Sequence, residues 1–528
     1  MKRCSPVVAL ISALSFVGCH SGSPLPVEPL RAEGAVLMWD RALDLDNERF
    51  EPWVEAPVRG VLVHAVDEAS GRVLAQSVTD ASGNYALTFD DAPERWFVRV
   101  FAALEGESLR AEIFSESNTL VGWTLRSELL RGASEGPVML RSEAGSAING
   151  ALHVADTLYR VDRFLVDAEV PSSAQPALRL WWSPAQSFPC GSCFVGAGVW
   201  LGGAPEDPDE YDDQIVMHEA FHFLSDAWEA DTSPGGRHVG DPLNPTLAWG
   251  EGMATALALM TSEDPLYVDF RESYVRVFEV EAGEDPRFWG TYAGGVAGDV
   301  SEYLVAALLW DLFDGDDAHE APYSIELSTA QIVRVLREWM PRWQKSGVGH
   351  SGLDLADFVA GVHCLYPEVS VELQKALDHR RFPLALEAID CARPAAYPYS
   401  RLEPTPPEPL TEPDVKQLRL VRMGERVELR HPVRVQHAFE VKLQREGQGP
   451  REVSTVACEG TPCVIVEDFA EDEVVIVTGA WERQEPFGIS LLGMSARDRL
   501  YGDFTSVVTP RGRAREYQSV TNAGEAQD

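Results

Sequence analysis

Between residues 58 and 89 the chain alternates. In VRGVLVHAVDEASGRVLAQSVTDASGNYALTF apolar side chains fall on every second position, interrupted at EASG and DASG. A period of two puts the apolar groups on one face of a strand, so the stretch predicts antiparallel strands joined by tight turns. Asp80-x-x-Gly83-x-Tyr85 sets a glycine where a turn wants positive φ and a tyrosine where the next strand re-enters the core. The β pattern runs over residues 34–144 and predicts a β-sandwich there.

From about residue 145 the period becomes helical. INGALHVADTLYRVDRFL, 148–165, carries an apolar stripe at helical spacing. ALRLWWSP and CFVGAGVWLGG read as strands, and helices are expected near 210–229, 246–262, 299–314, 326–343 and 354–363. Residues 145–400 therefore read as one mainly helical α+β unit. EPTPPEPLTEP lies in a stiff Pro-rich linker, 401–413. QLRLVRMGERVELR, AFEVKLQ, PCVIVEDF and EVVIVTGAW then predict a second β-sandwich over 414–508, and 509–528 is expected to be a disordered tail.

The length, 528 residues, exceeds what one core fills, so a multidomain chain is expected. The formal net charge of −39 repels phosphate backbones and excludes nucleic acid as a natural partner. At the start, Lys2 and Arg3 precede an apolar run, Val7 to Val17, too short to span a bilayer. The run ends at Gly18-Cys19 and resembles a bacterial lipoprotein signal, although Phe16 stands where Leu is usual. The resemblance implies a signal peptide over 1–18, lipid on Cys19 and a tether to residue 33. The expected location is the bacterial cell envelope, anchored at the outer membrane or cell surface. An ordinarily cleaved periplasmic or secreted chain is the alternative; the lipid would be the only membrane contact. Six further cysteines fall in three sequence-local pairs, Cys190–Cys193, Cys364–Cys391 and Cys458–Cys463, which suits disulfides in an oxidising compartment. CGSC at 190–193 lacks a helix start and reads as a structural loop rather than a redox motif.

The chemistry is concentrated in IVMHEAFHFL, 215–224. His218 and His222 are four apart, so a helix sets both imidazoles on one face, within reach of one metal ion. Glu219 is offset by about 100° and reaches a water beside the metal without binding it. The rest of the helix is apolar; the bland alternative is a buried pair of hydrogen-bonded structural histidines. Downstream, LAWGEGMATALALM places Glu251 at a helix start, 29 residues after His222. A catalytic zinc takes three protein ligands and leaves a fourth position for water. The alternative for Glu251 is a carboxylate stabilised by the helix macrodipole.

These motifs resemble the gluzincin zinc metallopeptidases, in which HExxH is followed by a helix carrying Glu-Gly. The resemblance implies a zincin-type domain with one Zn²⁺ per chain on His218, His222 and Glu251. Glu219 would be the general base, and the substrate a peptide or protein aligned along the strand of FVGAGVWLGG. Two positions depart from thermolysin-like and fungalysin-like members. Ala297-Gly298 stands where a histidine facing the oxyanion is expected, so Tyr292, then Tyr303, then His238 become the candidate donors. Thr255 stands where an Asp supports a zinc histidine, which leaves Asp226 or another carboxylate for that task. DGDD, 314–317, lacks the spaced ligands of a calcium loop and reads as a solvated acidic turn. Residues 58–100 resemble the carboxypeptidase regulatory-like domain, which implies a small transthyretin-like β-sandwich without chemistry of its own. Two non-catalytic readings compete: a surface lipoprotein that keeps the metal site without turnover, and an adhesion protein without zinc.

Overall fold

The computed structural model describes residues 29–516, apart from 46–48, 91–92, 116–120, 135, 189–190, 196–197, 234–237, 239, 241, 244, 272–273, 282–285, 291–299, 316–322, 344–352, 394, 396–406, 409–418, 424–425, 431–433, 446–449, 460–462, 468–472, 482–486, 489–491, 495–505 and 509–513. Cys19 with the leader, Cys190, Tyr292, Ala297-Gly298, half of DGDD and nearly all of the Pro-rich linker lie outside the described residues.

Two β-sheets share the N-terminal core. β1 (Leu30–Asp40) pairs antiparallel with β2 (Val54–Pro57) and, at its other end, with β5 (Asn84–Phe89). The second sheet contains β3 (Val61–Asp67), β4 (Val73–Val78), β6 (Trp96–Glu105) and β7 (Arg110–Phe114). The alternation predicted for 58–89 is realised: Tyr85, Leu87 and Phe89 are buried and their neighbours exposed. Gly83 takes φ +76°, and Asp80 Oδ1 accepts the Ser82 and Asn84 N–H groups, each at 2.8 Å. The Tyr85 hydroxyl donates to the Val138 carbonyl at 2.6 Å.

The structure crosses the boundary read at residue 144. β8 (Leu178–Trp181) pairs in parallel with β7, and β10 (Gly198–Trp200) and β9 (Cys193–Val195) extend the same sheet to its edge. Along its main path this sheet therefore runs β9-β10-β8-β7-β6-β3-β4. Helix α1 (Ala147–Asp167), capped by Ser146, packs on β6. Buried polar groups on α1 stitch it to the preceding strands. Asn149 bonds the Trp39 backbone, His153 meets Asp40 at 2.8 Å, and Asp156 pairs with Arg59. The change of period at 145 is real, but one hydrophobic core runs from Val36 through Val154 to Leu257. Sequence periodicity reports local structure and is blind to such cross-pairing.

The helices follow closely where the pattern put them: α2 (Asp213–Ala227), α3 (Pro245–Ser262), α4 (Glu302–Phe313), α5 (Thr329–Arg334), which continues through a π turn to Trp339, and α6 (Leu355–Leu365). Among the elements that escaped the reading are a hairpin of β11 (Leu266–Arg271) and β12 (Tyr274–Glu279), and helix α7 (Ser370–His379). Beyond the linker, β13 (Arg434–Arg445) lies between β14 (Pro450–Glu459) and β15 (Glu473–Trp481), antiparallel to both. Within the tail expected to lack structure, Ala514–Glu516 pairs with Ser506–Val508. The chain is a mixed assembly of β-sheets and helices. Disulfides join Cys364 to Cys391 and Cys458 to Cys463, and Cys193 is disulfide-bonded as well.

Candidate metal centre

Helix α2 is apolar on most of its circumference, so it sits in the core with Val216, Met217, Ala220, Phe221 and Leu224 fully or almost fully buried. That burial carries His218 and Glu219 inward: only 5% and 7% of their surfaces remain exposed. The i, i+4 spacing brings the two imidazoles together, with Nε2 of His222 3.0 Å from Nε2 of His218.

Helix α3 lies against α2. It begins at Pro245, so Glu251 sits in its second turn and not at its start. The macrodipole alternative for Glu251 loses its basis, because that effect fades beyond the first turn. Oε2 of Glu251 lies 3.1 Å from His222 Nε2 and 3.3 Å from His218 Nε2. Gly252 permits the neighbouring contact: a Cβ there would come within 2.5 Å of the Glu302 carbonyl and of Val305, so any larger residue would push α4 away from α3.

The three atoms fit a metal ion. Ligands about 2.0–2.1 Å from zinc at tetrahedral angles stand about 3.4 Å apart. The separations here are 3.0, 3.1 and 3.3 Å. The donor set, two neutral imidazoles and one carboxylate, suits zinc. A further sign is Glu219 Oε2, which is buried and has no hydrogen-bond partner among the described residues. An orphaned carboxylate oxygen is costly, and one beside a ligand set has an obvious use in meeting a water.

Thr255, four residues after Glu251 and therefore on the same face of α3, places Oγ1 3.1 Å from His218 Nδ1. The hydroxyl can accept the Nδ1 proton and leave the Nε2 lone pair facing the centre. A neutral hydroxyl thus stands behind His218, while Asp226 is exposed on α2. Replacing Thr255 with Val removes this bond at nearly constant volume. Zinc affinity should fall by about 10–100-fold, the usual effect of losing a partner behind a metal-binding histidine. Competition with a chromophoric chelator measures it, and an unchanged affinity would deny Thr255 the role.

Of the three candidate oxyanion donors, Tyr292 lies outside the described residues. Tyr303 is buried against Phe278 and Phe288, and its hydroxyl accepts from Arg276 at 2.8 Å. His238 reaches the centre, with Nε2 3.2 Å from Glu251 Oε2 and Nδ1 3.0 Å from Glu302 Oε2. Glu302 escaped the sequence reading. It opens α4, accepts the Gly240 N–H at 2.8 Å and lies 3.6 Å from Arg276. The Ser301 hydroxyl donates to the Gly240 carbonyl at 2.6 Å, so the loop carrying His238 is fastened to the start of α4. A histidine close to a glycine, with a glutamate at a distant helix start, is a signal too common to have been singled out.

The electrostatics belong to a site built around positive charge. Burial alone would raise the Glu251 carboxyl, but the charges of His238 and His222, with hydrogen bonds from His218 and His222, hold it well below the usual range. Burial opposes protonation of His222, yet the Glu251 carboxylate pushes it up to about 9; Glu251 and Glu302 together push His238 up to about 10. Protons supply the compensating charge here, which a dication can replace.

Residues 177–357 match a family model described as the mycolysin C-terminal domain. The matched stretch runs from β8 past α5 and contains His218, Glu219, His222, His238 and Glu251, although it covers less than half of the chain. The similarity is to a metallopeptidase, a hydrolase of a zinc-dependent family, whose members are generally secreted. No helix among the described residues is long and apolar enough to cross a membrane. No curated protein matches the chain. Among solved structures, a 9R-lipoxygenase from Cyanothece PCC8801 is similar over 29% of this chain and 25% of its own, at 13% identity and a TM-score of 0.14, too slight a likeness to bear on fold or function.

Proposed function

We propose that the chain is an exported zinc-dependent metallopeptidase acting on peptides or proteins. The observation that carries this reading is the convergence of His218, His222 and Glu251 beside the unpartnered oxygen of Glu219. Zinc bound there would polarise the substrate carbonyl and acidify a water. Glu219 takes the proton of the attacking water and passes it to the leaving amine. His238, held from behind by Glu302, directs Nε2 towards the same space and donates a hydrogen bond to the oxygen that gains charge as the carbonyl is attacked. The edge strand β9 packs on α2, with Phe194 against Phe223 at a centroid distance of 6.1 Å. An extended substrate adding to that edge would place a peptide bond along the helix that carries the centre.

Incubation of the full chain with a broad peptide library is the direct test. Cleavage should stop on metal removal by a chelator and return with about one equivalent of zinc. Zinc binding without cleavage of any member would favour a non-catalytic metal-binding lipoprotein; no zinc binding by folded protein would end the peptidase reading. The envelope location and a lipid on Cys19 are part of the same proposal, checked by mass analysis of the mature N-terminus. For His238, substitution by Gln should leave zinc content intact and lower kcat by about 10²–10³-fold, the range for one lost oxyanion donor. An unchanged kcat would remove His238 from the chemistry.

A further inference from the structure

Asp207, Asp209 and Asp269 each bring one carboxylate oxygen within 4.8 Å of the others, outside the centre described above. The first two lie in the turn before α2, and the third is on β11. Carboxylates do not gather in this way without compensation. Asp269 is 6% exposed, and its Oδ1 has no hydrogen-bond partner among the described residues; the same holds for the buried Oδ1 of Asp207. Arg271 Nε lies within ion-pair distance of both oxygens, 3.5 Å from Asp207 and 3.7 Å from Asp269. One guanidinium cannot balance three carboxylates, and Asp212 adds a fourth nearby. Asp209 accepts from the Ser192 hydroxyl, which in turn accepts the Gly202 N–H at 2.9 Å. Burial raises Asp209 well above the usual carboxylate range, and the charge of Asp207 adds to it; burial also raises Asp212, with Asp269, Asp213 and Asp207 contributing. This charge would be relieved by a cation.

We infer that Asp207, Asp209 and Asp269 form a second metal site, selective for a hard divalent cation of the calcium type. The donors are all oxygen, which favours calcium or magnesium over zinc. Oxygens about 2.4 Å from one ion stand at most about 4.8 Å apart, and the three carboxylate oxygens lie within that limit of one another. Three carboxylates completed by water suit calcium, whose coordination is flexible, better than the strict octahedron of magnesium.

The position gives such an ion a task. Asp212 Oδ2 accepts the Phe270 N–H at 2.7 Å, and the Gln214 side chain bonds both Val268 and Leu266 of β11. The same hairpin carries Tyr267, whose ring lies 6.4 Å from that of His218, and Arg276, which bonds Tyr303 beside Glu302. Calcium between the turn and β11 would clamp the hairpin to the start of α2. It would hold the shell around the zinc ligands without touching substrate.

The test is a calorimetric titration of CaCl2 into the full chain stripped of divalent ions, repeated after reloading with zinc. Binding tighter than about 10⁻³ M, the weak end for extracellular calcium modules, is expected with and without zinc. The Asp209→Asn/Asp269→Asn variant should lose at least tenfold in affinity and show no rise in melting temperature on calcium addition. In ion-free buffer the same variant should melt at or above the wild type, because carboxylate repulsion has been relieved; that comparison also establishes that it folds. Absence of calcium binding by the wild type up to about 10 mM would overturn the assignment. Wild-type affinity in the folded variant would overturn it equally. Zinc content, measured on the same samples, reports separately on the peptidase reading.

Discussion

Substituting Gln for Glu219 is expected to abolish turnover while leaving zinc in place. The loss should reach about 10²–10⁴-fold, the usual contribution of a positioned general base. The side chain keeps its shape, so the helix and the two flanking ligands are undisturbed. What disappears is the ability to accept a proton at an oxygen that is buried and has no hydrogen-bond partner among the described residues. Elemental analysis should find wild-type zinc, and hydrolysis of a peptide substrate should show the deficit in kcat. Wild-type rates in the zinc-loaded variant would sink the mechanism, because no other carboxylate described here is placed beside both histidines except the proposed ligand Glu251.

Removal of Glu251 should act on the other quantity. In Glu251→Ala the third donor is lost, and the two histidines are left with a coordination set that binds zinc weakly. Losing a partner behind a ligand typically costs about 10–100-fold in affinity, so losing the ligand itself should exceed about 100-fold. The variant also deprives His222 and His238 of the carboxylate that raises them to about 9 and 10, so their protonated forms become less favoured. Circular dichroism establishes that the helices remain, and competition with a chelator gives the affinity. A well-folded variant that held zinc as tightly as the wild type would show that α3 contributes no ligand. The two substitutions together separate a metal-binding site from a working one: the first leaves metal and stops chemistry, the second removes both.

Much of this protein was determined by local pattern. The alternation around Tyr85, the Gly83 turn, the long apolar face of α1 and the extent of α2 to α4 follow from periodicities of two and 3.6, which are properties of the backbone within a few residues. The pairing of His218 with His222 belongs to the same class, because helix geometry alone brings i and i+4 together. The partnership of Glu251 with them was also suggested, though only by resemblance; its place in the second turn of α3 emerges from where the helix begins.

The tertiary structure decided the rest. Thr255 was set aside as a departure, yet the packing of α3 on α2 turns its hydroxyl to His218. His238 and Glu302 are 64 positions apart and meet only because the loop after α2 is bonded to the start of α4. The carboxylates of Asp207 and Asp269 come from separate elements that meet where β11 lies along the turn before α2. The pairing of β8 with β7, which joins strands on either side of residue 144, is of the same kind. Each of these depends on which surfaces bury one another. That choice is set by apolar area and hydrogen bonding summed over the whole chain, and no short window of sequence contains it.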